Sequence, residues 1–294
     1  MMGDPSTPYG KEVCNHQSKK TANDEVNAQL VLEFVHGAGL LAMEAAREKL
    51  SIVSSSGEKL VGILQDTGST ELVILCHGLN SSKDLGLLVS LANTLSLAGL
   101  STFRFDFSGN GESEGEFQFG NYSKEIMDLH DVVAYWIQKG RVVKAILGHS
   151  KGGSSVLLYA SKFNEVCKIV NASGRLDLKV GLDKLLGSDY LKRVEAGPIT
   201  VKNPSGNTEF CVTKESLMER LSTDLIAAVQ TIPKNIRVLS VHGSEDEAVP
   251  VDNARMCGEL IANHALQIIE GADHMYSQHE REFGETVKKF ILDE

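Results

Sequence analysis

Two serines of this sequence lie in the pattern Gly-x-Ser-x-Gly, in which a serine hydroxyl can attack a carbonyl carbon during acyl transfer. They are Ser150 in GHSKG and Ser113 in GESEG. A nucleophilic serine of this kind needs a strand that runs directly into a sharp turn and a helix that follows at once. The apolar segment AIL precedes GHSKG and an apolar helical pattern follows it, whereas GESEG lies between a strand pattern that ends near Phe107 and a helical pattern that starts near Tyr122. The context therefore favours Ser150 and predicts that GESEG is a loop.

The turn around Ser150 is predicted to be strained and crowded. Gly148 and Gly152 flank the serine two positions away on each side, where a larger side chain would collide with the turn. The helix that follows begins at Lys151, and backbone N–H groups at a helix N-terminus stabilise negative charge. We therefore expect the Lys151 N–H to be one donor of an oxyanion hole.

A second oxyanion donor is expected in the segment CHGLNSS. His77 and Gly78 directly follow the buried strand pattern ELVILC. A turn at this pair would direct the N–H of Leu79 toward the site. The alternative is a glycine turn that serves only its own loop.

A nucleophilic serine also needs a base, and the base needs an acid that orients it. In α/β sheets that carry such a serine, an Asp or Glu and then a His follow it along the chain, each on a loop after a strand. The strand pattern RVLSVHG is followed by SEDEAVP, and LQIIEG is followed by ADHMYS. These positions predict Asp246 as the acid and His274 as the base. Nearby residues that compete for the two roles are Glu245, Glu247 and Asp252 for the acid and His264 and His279 for the base.

The elements that must position these residues alternate along the chain from about residue 48. A hairpin pattern comes first, and strand and helix patterns then follow one another to a closing helix over about Glu280 to Leu292. Such alternation predicts a mostly parallel sheet with helices on both faces. The loops that carry the candidate acid and base would open at the same carboxyl edge of the sheet as Ser150.

One segment, residues 175–235, interrupts this alternation. It is far longer than the ~2–6 residues usual for such a connection, and its patterns indicate a helix, a hairpin and another helix. Insertions of this kind often cover a site, so we predict a lid or cap, with a structural or oligomerisation role as the alternative. Four larger side chains are candidates to line an apolar pocket, although core packing is expected for most of them: Phe163, Tyr190, Phe210 and Leu217.

Composition and charge restrict the class of protein. The chain has 294 residues, of which 42% are hydrophobic and 23% are charged, values typical of a soluble globular protein with one or at most two domains. A net charge of −10 disfavours nucleic acid and anionic membranes as partners. The five cysteines are scattered and include no C-x-x-C. They therefore predict neither a disulfide framework nor a zinc site. They are typical of a protein in a reducing compartment.

Residues 1–46 are predicted to be an N-terminal extension that is partly disordered. Residues 1–28 are polar and typical of a disordered tail. Residues 30–46 are apolar, but Glu33, His36 and Glu44 interrupt them, and they fall short of the ~20 apolar residues that a membrane span needs. The start of the chain has neither a secretory nor a transit pattern, so the expected location is cytoplasmic.

The segments CHGLNSSKD, FRFDFSGNGESEG, LGHSKGG, VHGSEDEAVP and IEGADH together resemble the α/β-hydrolase superfamily. More narrowly they resemble its feruloyl/cinnamoyl-esterase-like branch, which is grouped with serine aminopeptidase-like hydrolases. The resemblance covers about residues 50–292. It implies an α/β-hydrolase fold formed by residues 47–174 and 236–294, with residues 175–235 inserted as the lid.

The resemblance also implies roles for individual residues. Ser150, Asp246 and His274 match the catalytic triad, and Leu79 and Lys151 match the oxyanion donors. Asp106 and the glycines after it would fix backbone geometry rather than take part in chemistry. Lys151 stands where many relatives have Met or Gln, and a cationic side chain near the mouth of the site would favour an acidic acyl or alcohol group.

We therefore expect a serine hydrolase that cleaves carboxylic esters, such as hydroxycinnamoyl or other small acyl esters, through an acyl-enzyme. It would need no metal and no organic cofactor, and would act on a small-molecule ester as a monomer or homodimer. Two alternatives remain open. One is a peptidase, thioesterase or acyltransferase that uses the same triad, and the other is a non-catalytic ligand-binding protein with this fold.

Overall fold

The computed structural model describes residues 46–203 and 205–293, so the extension predicted over residues 1–46 lies outside the described residues except at its last position. The described strands are β1 (Arg47–Val53), β2 (Lys59–Gln65), β3 (Glu71–Cys76), β4 (Ser101–Phe105), β5 (Val142–His149), β6 (Lys168–Ala172), β7 (Ile199–Lys202), β8 (Thr208–Val212), β9 (Arg237–Gly243) and β10 (His264–Ile269). The described helices, numbered separately, are α1 (Gly86–Leu97), α2 (Tyr122–Gln138), α3 (Lys151–Lys162), α4 (Leu182–Leu186), α5 (Tyr190–Ala196), α6 (Lys214–Ser222), α7 (Leu225–Gln230), α8 (Asp252–Leu260) and α9 (Glu280–Leu292).

One mostly parallel sheet organises the described chain. Its eight strands follow the order β1-β2-β4-β3-β5-β6-β9-β10. Strands β4, β3, β5, β6, β9 and β10 pair in parallel, whereas β1 and β2 form an antiparallel hairpin that joins the sheet beside β4. The predicted mostly parallel sheet is therefore confirmed, and the carboxyl ends of its parallel strands meet along one edge.

Both faces of the sheet are covered by helices, as the near-continuous apolar strands predict. Alternate side chains of a strand point to opposite faces. Leu72 and Ile74 of β3 pack in an apolar cluster with α2 and α3, whereas Val73 and Leu75 pack in a second cluster with α1 and α9. All four side chains are fully buried, and each contributes about 1.5–3 kcal/mol through burial.

Two helices predicted in the inserted segment are each divided in two. Over residues 177–197 the division between α4 and α5 lies at Gly187, which has a φ of 89° that ends the first helix. Over residues 214–230 the division lies before Asp224, whose side chain accepts a hydrogen bond from the Ala227 N–H and so starts a new helix. The hairpin predicted between these pairs is present as β7 and β8.

The inserted segment has a small apolar core of its own. Phe210, Val212 and Leu217 are buried there together with residues of α4, α5 and β7. Phe119 of the main domain joins the same cluster, so the two parts pack directly against each other. No helix of the described residues is long and apolar enough to cross a membrane.

Candidate active site

Ser150 lies in the tight turn between β5 and α3 and has an unusual backbone conformation. Its φ is 56° and its ψ is −120°, a combination that is costly for a residue with a side chain. A Cβ atom added at Gly148 would lie 2.1 Å from the Gly152 carbonyl oxygen, and one added at Gly152 would lie 2.4 Å from the His77 carbonyl oxygen. Both flanking glycines are therefore required by close backbone approach.

His274 and Asp246 lie beside Ser150 on loops that follow neighbouring strands, β10 and β9. The His274 Nε2 atom is 3.0 Å from the Ser150 Oγ atom. The other ring nitrogen, Nδ1, is 2.8 and 3.0 Å from the two Asp246 carboxylate oxygens. An ionised carboxylate can only accept, so Nδ1 carries the proton and Nε2 is left to accept the serine proton. The structure thus brings the three predicted residues together.

The Asp246 carboxylate is buried among hydrogen-bond donors. Besides His274, the backbone N–H groups of Ala248 and Val249 donate to its Oδ1 atom, and the His242 Nε2 atom is 3.2 Å from its Oδ2 atom. Burial raises the pKa of Asp246, but hydrogen bonds from His242 and His274 outweigh burial and hold that pKa below its usual range. Asp246 therefore stays ionised beside the imidazole.

Two further histidines position this constellation, and no sequence pattern singled them out. The buried His149 Nε2 is 2.9 Å from the His274 carbonyl oxygen, to which its N–H donates. Burial lowers the pKa of His149 to about 4, so the ring is neutral. His242 is fully buried and bonds the Val249 carbonyl oxygen at 2.9 Å. Their only sequence signal is position, since His149 precedes Ser150 and His242 lies at the end of β9.

Leu79 and Lys151 lie where the predicted oxyanion donors should be. Both line the same cavity as Ser150. Among the described residues, neither backbone N–H donates to an acceptor. Gly78 comes so close to the serine that a Cβ atom there would lie 3.0 Å from the Ser150 Cβ atom. Two N–H groups without partners beside a nucleophilic hydroxyl are the arrangement that stabilises an oxyanion.

His77 fixes the loop that carries Gly78 and Leu79. Its Nε2 atom accepts a hydrogen bond from the Phe107 N–H at 3.1 Å, so its Nδ1 atom carries the proton and donates to the Gly78 carbonyl oxygen at 2.8 Å. Burial lowers the pKa of His77 to about 4. A neutral, doubly bonded ring therefore holds the backbone at this position.

The charge of the Lys151 side chain is matched inside the protein. Its Nζ atom forms a buried ion pair with Glu125 and lies 5.0 Å from the centre of the Tyr122 ring. The Ser155 Oγ atom donates to the same carboxylate at 2.7 Å. The interpretation that Lys151 selects an acidic substrate group is therefore wrong, because Glu125 already neutralises the ammonium.

Ser113, the alternative nucleophile, and His264, an alternative base, have other partners. Ser113 Oγ donates to the Asp106 carbonyl oxygen at 2.6 Å and accepts from the Val61 N–H, so GESEG is a loop tied to the sheet. The Asp106 carboxylate holds that region together through the buried ammonium of Lys83, at 2.8 Å. His264 Nε2 bonds the Ser240 hydroxyl at 2.9 Å, away from Ser150.

A cavity of about 540 Å³ opens beside Ser150. Ser154, Phe119 and Tyr122 form part of its wall, and residues 247–250 of the loop that carries Asp246 form another. The segment predicted to be a lid contributes Arg175, residues 180–185 and Arg220. None of the four apolar candidates, Phe163, Tyr190, Phe210 and Leu217, lines this cavity, and all four pack in or against apolar clusters.

In comparison with known proteins, a family model matches part of this chain and solved structures match most of it. A family model described as serine aminopeptidase, S33, matches residues 68–196. This span includes Ser150 and ends before Asp246 and His274. Monoacylglycerol lipase of Mycolicibacterium smegmatis is 23% identical over 254 residues, which cover 78% of this chain and 88% of the lipase.

Solved structures share the fold over most of the chain. Est1E from Butyrivibrio proteoclasticus is 25% identical with a TM-score of 0.67, and the match covers 83% of this chain and 98% of Est1E. Est1E has also been solved with bound ferulic acid. The esterase Pf2001 of Pyrococcus furiosus is 20% identical with a TM-score of 0.64, and the match covers 85% of this chain and 90% of that esterase.

Proposed function

We propose that the chain is a member of the α/β-hydrolase superfamily and a serine hydrolase that cleaves carboxylic esters of small acyl groups. The main observation in support is a chain of two hydrogen bonds through the His274 ring. The Nε2 atom is 3.0 Å from Ser150 Oγ, and the Nδ1 atom is 2.8 Å from the Asp246 carboxylate. Esterases and a monoacylglycerol lipase among the similar proteins support it.

In the proposed reaction, Ser150 Oγ attacks the ester carbonyl carbon while His274 Nε2 takes the serine proton. The N–H groups of Leu79 and Lys151 hold the oxyanion, and His274 then gives its proton to the departing alkoxide. Water, activated by the same imidazole, releases the acid from the acyl-enzyme. Asp246 keeps His274 in the tautomer that these reaction steps require and stabilises the imidazolium form of His274.

The charges around the cavity support an ester substrate over a peptide with a free amino terminus. Arg220 is a buried charged side chain of its wall, and the buried Lys151 is paired with Glu125. The carboxylates of Asp183 and Glu247 belong to exposed residues of the wall. Recognition of a terminal ammonium would favour a buried carboxylate in the wall. Hydroxycinnamoyl esters, which relate to the ferulic acid bound by Est1E, belong in the first substrate panel.

The test is the Ser150→Ala variant assayed with 4-nitrophenyl butyrate. We expect hydrolysis to fall at least about 10³-fold, while the circular dichroism spectrum and melting temperature stay close to those of the unaltered protein. A fluorophosphonate probe should label the unaltered protein and leave the variant unlabelled. Unchanged hydrolysis in the variant would refute the proposal. Failure of the probe to label folded protein would favour a non-catalytic binding protein.

A panel of matched ester, thioester and aminoacyl substrates separates the remaining alternatives. The ester should have the highest kcat/KM. A thioester or an amide that exceeds it by tenfold or more would reassign the leaving group while leaving the triad in place. Formation of a new ester in the presence of an added alcohol would identify an acyltransferase.

A further inference from the structure

Two arginines of the cavity wall have no counter-ion. Arg220 lies on α6 and is only 7% exposed, and Arg175 follows the loop after β6. Among the described residues, no carboxylate oxygen lies within ion-pair distance of either guanidinium. Their hydrogen-bond partners are neutral, which distinguishes them from Lys151 in the same wall with its buried partner Glu125.

Neutral acceptors hold both side chains in place. Arg220 donates from Nε to the Leu178 carbonyl oxygen at 3.0 Å and from Nη1 to the Tyr122 hydroxyl at 2.9 Å. Arg175 donates from Nη1 to the Val180 carbonyl oxygen at 2.8 Å and from Nη2 to the Ala248 carbonyl oxygen at 2.6 Å. A guanidinium has five N–H groups, so each arginine keeps three without an acceptor.

The other carboxylates near this part of the cavity form no ion pair with either arginine. Glu125 pairs with Lys151. One oxygen of Glu219 accepts the Ser123 N–H at 3.0 Å, and its other oxygen is buried without a hydrogen-bond partner among the described residues. Asp183 and Glu247 are exposed residues of the wall. Arg175 and Arg220 therefore line the same cavity as Ser150 without a direct ion pair among the described residues, and the charges of Asp246 and Asp177 act on Arg175 only from beyond ion-pair distance.

The Arg220 guanidinium also lies 4.9 Å from the centre of the Phe119 ring and 5.8 Å from that of the Tyr122 ring. These neutral groups stabilise the charge in part, and an anion in the cavity would stabilise it further. A buried charge without a partner is unfavourable, and two like charges add repulsion. The two arginines line the same cavity. Burial lowers the pKa of Arg175 and the charge of Arg220 lowers it further, whereas Tyr122, Asp246 and Asp177 raise it. A carboxylate matches a guanidinium in charge and geometry and can accept two of its N–H groups at once.

We propose that Arg175 and Arg220 together bind a carboxylate carried by the substrate, so that the preferred substrates are esters with a free carboxylate on the acyl or the alcohol side. This inference rests on the proposed ester hydrolysis at Ser150. The carboxylate takes no part in the chemistry, and its binding places the ester carbonyl at the serine. Both arginines are specificity-determining residues.

The competing explanation is that the arginines only tether the inserted segment to the main domain. Substrate pairs that differ in one charge separate the two explanations. The acyl pair is 4-nitrophenyl hydrogen adipate and 4-nitrophenyl 6-oxoheptanoate, and the alcohol pair is 4-carboxyphenyl butyrate and 4-acetylphenyl butyrate. In each pair a neutral methyl ketone replaces the carboxylate. The ratio of kcat/KM within a pair does not depend on the amount of folded enzyme.

We expect the anionic ester of at least one pair to be preferred by about tenfold or more, and the pair that shows this preference identifies the side on which the carboxylate is bound. Arg220→Gln and Arg175→Gln should each reduce that ratio by about tenfold, mainly through a higher KM for the anionic ester. Arg220→Lys should keep part of the preference because it keeps the charge. Lys192→Gln, an exposed charge change on α5, is the matched control and should leave the ratio unchanged.

A ratio near one for both pairs, in protein that hydrolyses the neutral esters, would overturn this inference and leave the proposed function standing. A preference that persists in both glutamine variants would overturn it as well. Lack of hydrolysis of all four esters together with lack of fluorophosphonate labelling would instead overturn the proposed function.

Calorimetric titration of the Ser150→Ala variant with adipate and with 4-hydroxybenzoate tests the carboxylate site without turnover. Binding of either acid that is lost on adding Arg220→Gln supports the site. Absence of binding of both acids at millimolar concentration, or binding that the second substitution leaves unchanged, counts against it.

Discussion

The carboxylate of Asp246 accepts hydrogen bonds from the His274 ring and from the N–H groups of Ala248 and Val249, and it lies 3.2 Å from the His242 Nε2 atom. An amide of the same shape would present an NH₂ group to one of these donors. It would also favour the opposite His274 tautomer, in which Nδ1 accepts and Nε2 is protonated. The serine would then face a donor instead of a base.

Asp246→Asn should therefore lower kcat for 4-nitrophenyl butyrate by about 10³- to 10⁴-fold with a smaller change in KM. Steady-state kinetics on purified variants measure this. Asp252→Asn is the matched control, because Asp252 is a nearby acid that is exposed and pairs with Arg255. Comparable losses in both variants, or wild-type activity in Asp246→Asn, would assign the acid to another residue.

At the scale of elements, the strand β5, the turn at Ser150 and the helix α3 act as one unit. The positive φ of Ser150 requires the chain to reverse within a few residues. The reversal brings the Gly152 carbonyl against Gly148 and the His77 carbonyl against Gly152. The turn thus joins β5 to the loop after β3, so the candidate nucleophile and oxyanion donor are set by the same contacts.

Gly148→Ala should be strongly destabilising because its Cβ atom would lie 2.1 Å from the Gly152 carbonyl oxygen, and backbone must move to relieve the clash. We expect the free energy of unfolding to fall by about 3 kcal/mol, measured by urea denaturation. Gly86→Ala, where a Cβ atom meets nothing within 4 Å, should change it by less than about 0.5 kcal/mol. Equal effects in the two variants would refute the close approach in the turn.

At the scale of the whole molecule, burial of neutral histidines couples folding to pH. His77 lies between β3 and the loop after β4, and burial lowers its folded-state pKa from the ordinary value of 6.5 to about 4. Below about pH 6.5 the unfolded chain takes up a proton that the folded ring refuses. The stability that His77 contributes is therefore complete above that pH and is lost as the pH falls toward 4.

His77→Gln removes this titration. The difference in free energy of unfolding between wild type and variant should therefore shrink by about 1 kcal/mol for each pH unit between about pH 6.5 and pH 4. Urea denaturation of both proteins at several pH values measures the difference directly, and effects of other titrating groups cancel in it. A difference that is constant across the window would show that His77 is protonated in the folded protein.

The sequence by itself determined the order of elements, the mostly parallel sheet and the place of Ser150 in it. These features depend on local periodicity and on glycines within a few residues of the serine, and parallel strands bring their carboxyl ends to one edge. The strand patterns also predicted the loops of Asp246 and His274, and the structure brings these two side chains within hydrogen-bond distance of each other. The continuous helices predicted in the inserted segment are wrong, because Gly187 and the capping residue Asp224 each divide a helical pattern in two.

Only the tertiary structure decided which remote side chains meet. Lys151 is neutralised by Glu125, 26 residues earlier in the chain, and His149 bonds the backbone of His274, 125 residues later. Arg175 and Arg220 come together in one cavity wall although they belong to separate elements of the inserted segment. A pattern of apolar and polar residues sets which face of an element is buried, but the partner of a charge depends on where distant loops are folded. The charge selectivity inferred for this site could therefore be assigned to its residues only from the structure.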